Sequence, residues 1–85
     1  MQVQITIAFV MDKKAYLQKL GQHIACLRIS KGISQAEFAR CCDKDPQSLN
    51  RLEKGRINPS IIYLQQIADE LNISLKELFD FKKNS

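Results

Sequence analysis

Between Ser34 and Pro59 the chain reads SQAEFARCCDKDPQSLNRLEKGRINP, and two helix starts and one helix stop inside this run leave it few ways to fold. Ser34-Gln35-Ala36-Glu37 is a capping box. The serine hydroxyl takes a free backbone N–H at the helix start, and the glutamate three residues on reaches back to the serine N–H. A helix therefore begins at Ser34, with Ala36, Phe38, Ala39 and Cys42 as its buried side. Asp43-Lys44 breaks that pattern, and Asp45-Pro46 opens a second helix, because aspartate caps well and proline has no N–H to leave unbonded in the first turn. The second helix runs to about Lys54, where Gly55 offers the left-handed residue that commonly ends one. The result is two short helices joined by a sharp turn.

The second of these helices has two faces. Leu49 and Leu52 point inward, while Gln47, Ser48, Arg51 and Lys54 fall largely on the opposite side, since positions three and four apart share a helical face. Amide, hydroxyl and cationic groups on one stripe are the chemistry that base edges and phosphates require. The unit is thus a helix-turn-helix whose second helix can enter a major groove of DNA. Charge agrees: the formal net charge is +4, but Lys13 to Arg56 carries ten Lys/Arg against four Asp/Glu, whereas Ile57 to Phe81 carries one lysine against four acids. The basic surface coincides with the helix-turn-helix half, as an electrostatic footprint on DNA requires. A merely solvated charged face is the plainer reading of charge taken alone.

At 85 residues the chain holds one domain with a modest core, and two prolines and three glycines do not make a disordered tail. The domain spans 13–81. Tyr16, Leu17, Leu20, Ile24 and Leu27 recur at helical spacing, so a first helix covers Lys13 to Ser30 and ends at Lys31-Gly32. Pro59-Ser60 starts a fourth helix through Leu71, with Ile61, Leu64, Ile67, Ala68 and Leu71 apolar, and the capping box Ser74-Leu75-Lys76-Glu77 opens a short fifth. Lys82 to Ser85 form a frayed tail. Residues 1–12 are an extension in which QVQITIAFV alternates polar and apolar side chains like a half-buried strand, with Val3, Ile5, Ile7 and Phe9 on one face. A lone strand cannot satisfy its backbone. It pairs with something, for instance its copy in a second subunit, or it is disordered, or it is an artefact of translation starting ahead of Met11. The run is too short to span a membrane as a helix and lacks the basic start and cleavage site of a signal peptide.

From Leu20 to Phe79 the sequence resembles the phage repressor and Cro type of helix-turn-helix, the XRE family. The likeness rests on the GISQAEFA start of helix two, the SLNRLEKG end of the recognition helix, the NPS that follows and the LNISLKELF close, in that order and spacing. It implies an all-α, five-helix fold like that of the lambda repressor. It further implies that Gln35, at the start of helix two, binds a DNA phosphate. Gln47 and Arg51 would reach base edges, arginine suiting guanine O6 and N7 and glutamine suiting adenine. Ser48 would touch a base or a phosphate, and Lys54, Arg56 and Asn58 would line the DNA backbone. Arg28 and Glu53 match a pair that forms an internal ion pair in this family, which makes them scaffold. Two positions depart from the pattern. Pro46 stands where a long polar residue is frequent, so one base contact is lost or replaced by methyl packing. Lys44 stands where valine or isoleucine is common, which loosens the turn or puts a cation near a phosphate.

Other chemistry finds little support. Cys26, Cys41 and Cys42 are odd in number, and adjacent cysteines pair poorly, so a reducing cytoplasm and small buried hydrophobes are expected. Zinc binding or redox sensing by His23 and Cys26 with Cys41 and Cys42 is the rival reading, but there is no CxxC knuckle. His23 alone reads as a surface or boundary residue. No nucleophile, base and orienting group stand together, and no Gly-rich phosphate loop appears, so we expect neither an enzyme nor a cofactor. The expectation is a cytoplasmic, sequence-specific regulator of transcription, repressor-like, that binds double-stranded DNA as a homodimer. Its dimer surface would come from Leu78, Phe79 and Phe81 with the alternating N-terminal face. The alternatives are an antitoxin or restriction-modification controller that autoregulates and binds a protein partner such as a toxin, and an interaction module that has lost DNA binding.

Overall fold

The structure is a computed structural model, and it describes residues 12–81. Its regular structure there is entirely helical: α1 (Lys13–Ser30), α2 (Gln35–Cys41), α3 (Pro46–Glu53), α4 (Ile61–Leu71) and α5 (Leu75–Leu78). The strand expected around Val3, Ile5, Ile7 and Phe9, and the tail 82–85, lie outside the described residues.

Short-range polar chemistry sets the starts. Ser34 Oγ accepts from Glu37 N at 3.1 Å, Asp45 Oδ1 from Ser48 N at 2.7 Å, and Ser60 Oγ from Tyr63 N at 3.1 Å. Only Ser74 and Glu77 complete a reciprocal capping box among the described residues. At Ser34 the box is half made: its hydroxyl accepts from Glu37 N, but the exposed Glu37 carboxylate does not return the bond.

The core gathers Leu20 and Ile24 of α1, Phe38 and Ala39 of α2 with Cys42 after it, Leu49 and Leu52 of α3, and Tyr63, Leu64, Ile67, Ala68 and Leu71 of α4. Leu78 of α5 and Phe81 close it. Three expectations are corrected. Ala36 is exposed, because at 3.6 residues per turn it lies roughly 110° from the centre of the Phe38, Ala39 and Cys42 stripe. Ile61 is 58% exposed for the same reason, about a quarter-turn from the centre of the α4 stripe, where Tyr63 is buried instead. Leu78 and Phe81, expected on a dimer surface, are 0% and 4% exposed. They are spent inside the fold, Phe81 meeting the Tyr16 ring edge-on at 5.2 Å.

Glycine fixes how α1 crosses α3. A Cβ on Gly21 would sit 2.4 Å from the Leu52 carbonyl oxygen and 2.5 Å from that of Glu53, so the two helices approach at a distance that no side chain permits. The turn between α2 and α3 uses a left-handed residue, Asp43 at φ 59°, with Lys44 N donating to Ala39 O at 2.8 Å. This is the wrap that satisfies carbonyls at a helix end.

Candidate nucleic-acid interface

Helix α3 carries the stripe expected of it. Gln47 and Arg51 are exposed, Ser48 is half-buried, and Lys54, the residue that ends the helix, is exposed with Arg56 and Asn58 just beyond. A shallow groove of about 460 Å³ is lined by Gln35, Pro46, Gln47, Asn50, Arg51 and Arg56. Asn50 escaped the sequence reading, although it stands three residues after Gln47 and so shares its face. A second, larger cleft brings Lys14 of α1 beside Lys54, Arg56 and Asn58. Lys14 thus joins the cationic edge, which only the packing of α1 against the loop after α3 could reveal.

The far end of α3 is tied down by a polar cluster. Arg28 Nε and Nη2 donate to the two carboxylate oxygens of Glu53 at 2.7 and 3.1 Å, and Arg28 Nη1 donates to the Ile33 carbonyl at 2.6 Å. Both residues are 8% exposed. Such a two-pronged, buried pairing satisfies the fork of the guanidinium in its own plane. Gln35 Nε2 adds a bond to Glu53 Oε1 at 2.8 Å, and Asn50 Nδ2 donates to Gln35 Oε1 at 3.4 Å. The Gln35 amide therefore holds α2 to α3. A phosphate contact at this residue would fall to the second N–H of that amide, or to the backbone N–H.

The near end is built otherwise. Lys44 Nζ stands 4.8 Å from the centroid of the Tyr63 ring, an attraction of the cation for the π face. Tyr63 is 5% exposed and its hydroxyl makes no hydrogen bond. Burial raises the phenol's pKa above its ordinary value, countered in part by the neighbouring Ser48 hydroxyl. Ser48 thus lies between the exposed stripe and this buried ring.

The cysteines behave as separate small groups. Burial, then the negative charge of Glu70 and the neighbouring Cys41, push the Cys42 thiol up to about 11. It is protonated and unreactive at neutral pH, whereas Cys26 and Cys41 are exposed. His23 is half-buried, its ring 5.9 Å from that of Phe81 and its Nε2 3.4 Å from the Glu77 carbonyl. Among the described residues no three His, Cys, Asp or Glu side chains are grouped to hold a metal ion, and no helix is long and apolar enough to cross a membrane.

Comparison with known proteins points the same way as the geometry. A family model described as helix-turn-helix matches residues 25–78. The HTH-type transcriptional regulator y4dJ of Sinorhizobium fredii is 39% identical over 59 residues, which cover 69% of this chain and 77% of that one. The HTH-type transcriptional regulator YazB of Bacillus subtilis is 38% identical over 58 residues, covering 68% and 84%. Among solved structures, the restriction-modification controller protein C.AhdI of Aeromonas hydrophila superposes with a TM-score of 0.73 at 34% identity, over 75% of this chain and 97% of that one. The clp gene regulator ClgR of Corynebacterium glutamicum gives a TM-score of 0.76 at 25% identity, over 81% and 73%.

Proposed function

Because the chain belongs to the XRE-type helix-turn-helix family of DNA-binding transcriptional regulators, we propose that it acts in the cytoplasm as a sequence-specific repressor and binds its operator as a homodimer. One observation carries this reading: α3 presents Gln47 and Arg51 to solvent while its opposite face and far end are locked to the core through Leu49, Leu52 and the Arg28–Glu53 pair. A rigid stripe of that chemistry has no structural task of its own. Gln47, Ser48 and Arg51 read base edges; Lys44, Lys54, Arg56 and Asn58, with Gln35 beside them, meet phosphates.

Dimerisation follows from reach. One recognition helix touches only a few base pairs, whereas two related by a twofold axis read half-sites about 10 base pairs apart. With Leu78 and Phe81 taken into the core, the large apolar side chains left exposed among the described residues are Ile29, Ile61 and Ile62. Ile61 and Ile62, adjacent at the start of α4, supply the dimer contact in this reading. The similarity to the restriction-modification controller protein C.AhdI favours a second reading, in which this chain is itself a restriction-modification controller that autoregulates.

Selection of bound duplexes from a random pool by the full chain tests the main reading. The expected product is a palindromic site with two half-sites about one helical turn apart. A pool that shows no enrichment would overturn base recognition, and a single unpaired half-site would overturn the dimer.

A further inference from the structure

Asn50 sits in the middle of α3, where asparagine is a poorer helix former than alanine, and its side chain is no part of the core. It is half-buried on the flank that meets Gln35 of α2, and it opens on the groove it shares with Gln47 and Arg51. Pro46, one turn ahead on the same flank, presents only carbon there. Neither helix formation nor packing explains the Asn50 amide.

The hydrogen bonds that lead to that amide run in one direction. The Glu53 carboxylate, its charge matched by Arg28 at 2.7 Å, is an acceptor only. Gln35 must therefore turn its NH2 group towards Glu53, and Nε2 donates to Oε1 at 2.8 Å. That leaves the Gln35 carbonyl oxygen facing Asn50, whose Nδ2 donates to it at 3.4 Å. Turning either amide over would set oxygen against oxygen, so the order from Asn50 to Gln35 to Glu53 is fixed by the carboxylate at its end. An asparagine amide has two N–H donors and one carbonyl oxygen. With one N–H given to Gln35, one donor and one acceptor remain for the groove.

We propose that Asn50 reads a base, and that Glu53, acting through Gln35, sets which one. In the major groove adenine offers one acceptor, N7, and one donor, the N6 amino group, whereas guanine offers two acceptors, N7 and O6. Thymine and cytosine each use one of the two groups that Asn50 has left. An unattached asparagine can turn both N–H groups to guanine. One already bonded to Gln35 cannot, and its remaining N–H and Oδ1 match adenine. Asn50 is thus an adenine-reading residue, and Gln35 is a positioning residue for it. This deepens the reading of α3 as the recognition helix and rests on it.

The test uses the full chain and a duplex that it selects from a random pool, together with a panel in which each base pair of that duplex is replaced in turn. Affinities and melting temperatures are measured for the parent, Asn50→Ala, Gln35→Ala and Arg51→Ala. Asn50→Ala is expected to melt about where the parent does, because a better helix former offsets one long hydrogen bond. It is also expected to bind the selected duplex roughly five- to 150-fold more weakly, the span of one bidentate base contact, with its loss of preference at a single adenine. Replacing that adenine by 7-deazaadenine, which carries C–H in place of N7, should weaken the parent and leave Asn50→Ala unaffected. Gln35→Ala frees the Asn50 amide, so that besides any uniform weakening, adenine should lose its advantage over guanine at this pair alone. The proposal is overturned if Asn50→Ala keeps the parental preference at every pair, or if the pair it no longer reads has no adenine. It is equally overturned if 7-deazaadenine weakens parent and variant alike, or if Gln35→Ala keeps the parental ratio of adenine to guanine. A purely structural tie between α2 and α3 would move the melting temperature and none of these ratios. Arg51→Ala separates the two levels: a flat panel for it as well as for Asn50→Ala removes base reading by α3 altogether, whereas a loss at its own pair with none for Asn50→Ala removes this proposal alone.

Discussion

The two ends of α3 are held in opposite ways. At its C-terminal end Glu53 is bonded twice to Arg28 and once to Gln35, and the Leu52 and Glu53 carbonyls lie so close to Gly21 that α1 has no room to shift. At its N-terminal end the supports are one aspartate cap, a lysine resting on a tyrosine ring, a non-glycine residue in the left-handed region and an unbonded hydroxyl. Buried and fully bonded polar groups specify one geometry, whereas partly bonded ones leave neighbouring arrangements close in energy. The helix is therefore clamped where Arg51 and Lys54 emerge and adjustable where Gln47 and Ser48 emerge. In the proposed DNA complex a clamp would set register on the duplex, and local latitude would let side chains meet the bases that the register presents.

Removing the clamp should have the largest effect. Glu53→Ala leaves Arg28 buried without its carboxylate, and loss of one partner from a buried pair costs ~3–5 kcal/mol. The melting temperature should fall by well over ten degrees in a domain of this size. An unchanged melting temperature with abolished DNA binding would reassign Glu53 from clamp to interface. Gly21→Ala attacks the same end through shape: helix propensity gains about 1 kcal/mol, but the methyl meets two backbone carbonyls that cannot rotate aside. We expect a net loss of about 1–3 kcal/mol in chemical denaturation. A stabilised variant would mean that α1 and α3 can separate cheaply, and that the clamp is softer than its geometry implies.

These first effects also show where sequence reading succeeds. Ser34, Asp45, Ser60, Ser74 and Gly55 announce themselves because a cap or stop depends on chemistry within four residues, and each borders the helix expected of it. Gly21 was silent. An isolated glycine in a helical pattern signals a close approach in general, but which helix approaches is decided by the packing of residues far apart in sequence. Leu78 and Phe81 misled for a related reason: an apolar residue near a chain end looks the same whether it covers its own core or a second copy. The stripe Gln47, Ser48, Arg51 was legible from periodicity. Its support was not, since Lys44 reaches the Tyr63 ring only because α4 brings that ring to it.

Between the two ends, affinity should divide by role. Arg51→Ala is expected to cost ~1–3 kcal/mol on the selected duplex and to relax preference at one base position. Lys54→Ala should weaken every sequence alike and reduce the salt slope of binding by roughly one. Titrations at several salt concentrations on selected and random duplexes separate the two. Equal losses by both variants on both duplexes would take Arg51 out of base reading and leave the clamped end as a phosphate contact alone.

The smallest effect contrasts the two left-handed residues that bracket α3. Gly55, at φ 73°, lies where a Cβ would come within 2.6 Å of the Gln18 Cα, so both conformation and space demand glycine there. Asp43, at φ 59°, is exposed, and it bears the strain of a left-handed L-residue with no side-chain hydrogen bond to offset it. Asp43→Gly removes that strain but adds freedom to the unfolded chain, so the net gain should be about 0.5–1 kcal/mol. That corresponds to a rise of roughly 2–8 °C in melting temperature. Asp43→Asn is the control, because asparagine tolerates this region about as aspartate does while losing the charge. If the asparagine variant rises as far as the glycine one, the gain comes from relieved charge in the turn and the backbone there is unstrained. If only glycine raises stability, the entrance to α3 is strained, and the adjustable end of the helix carries a stability cost that its clamped end does not.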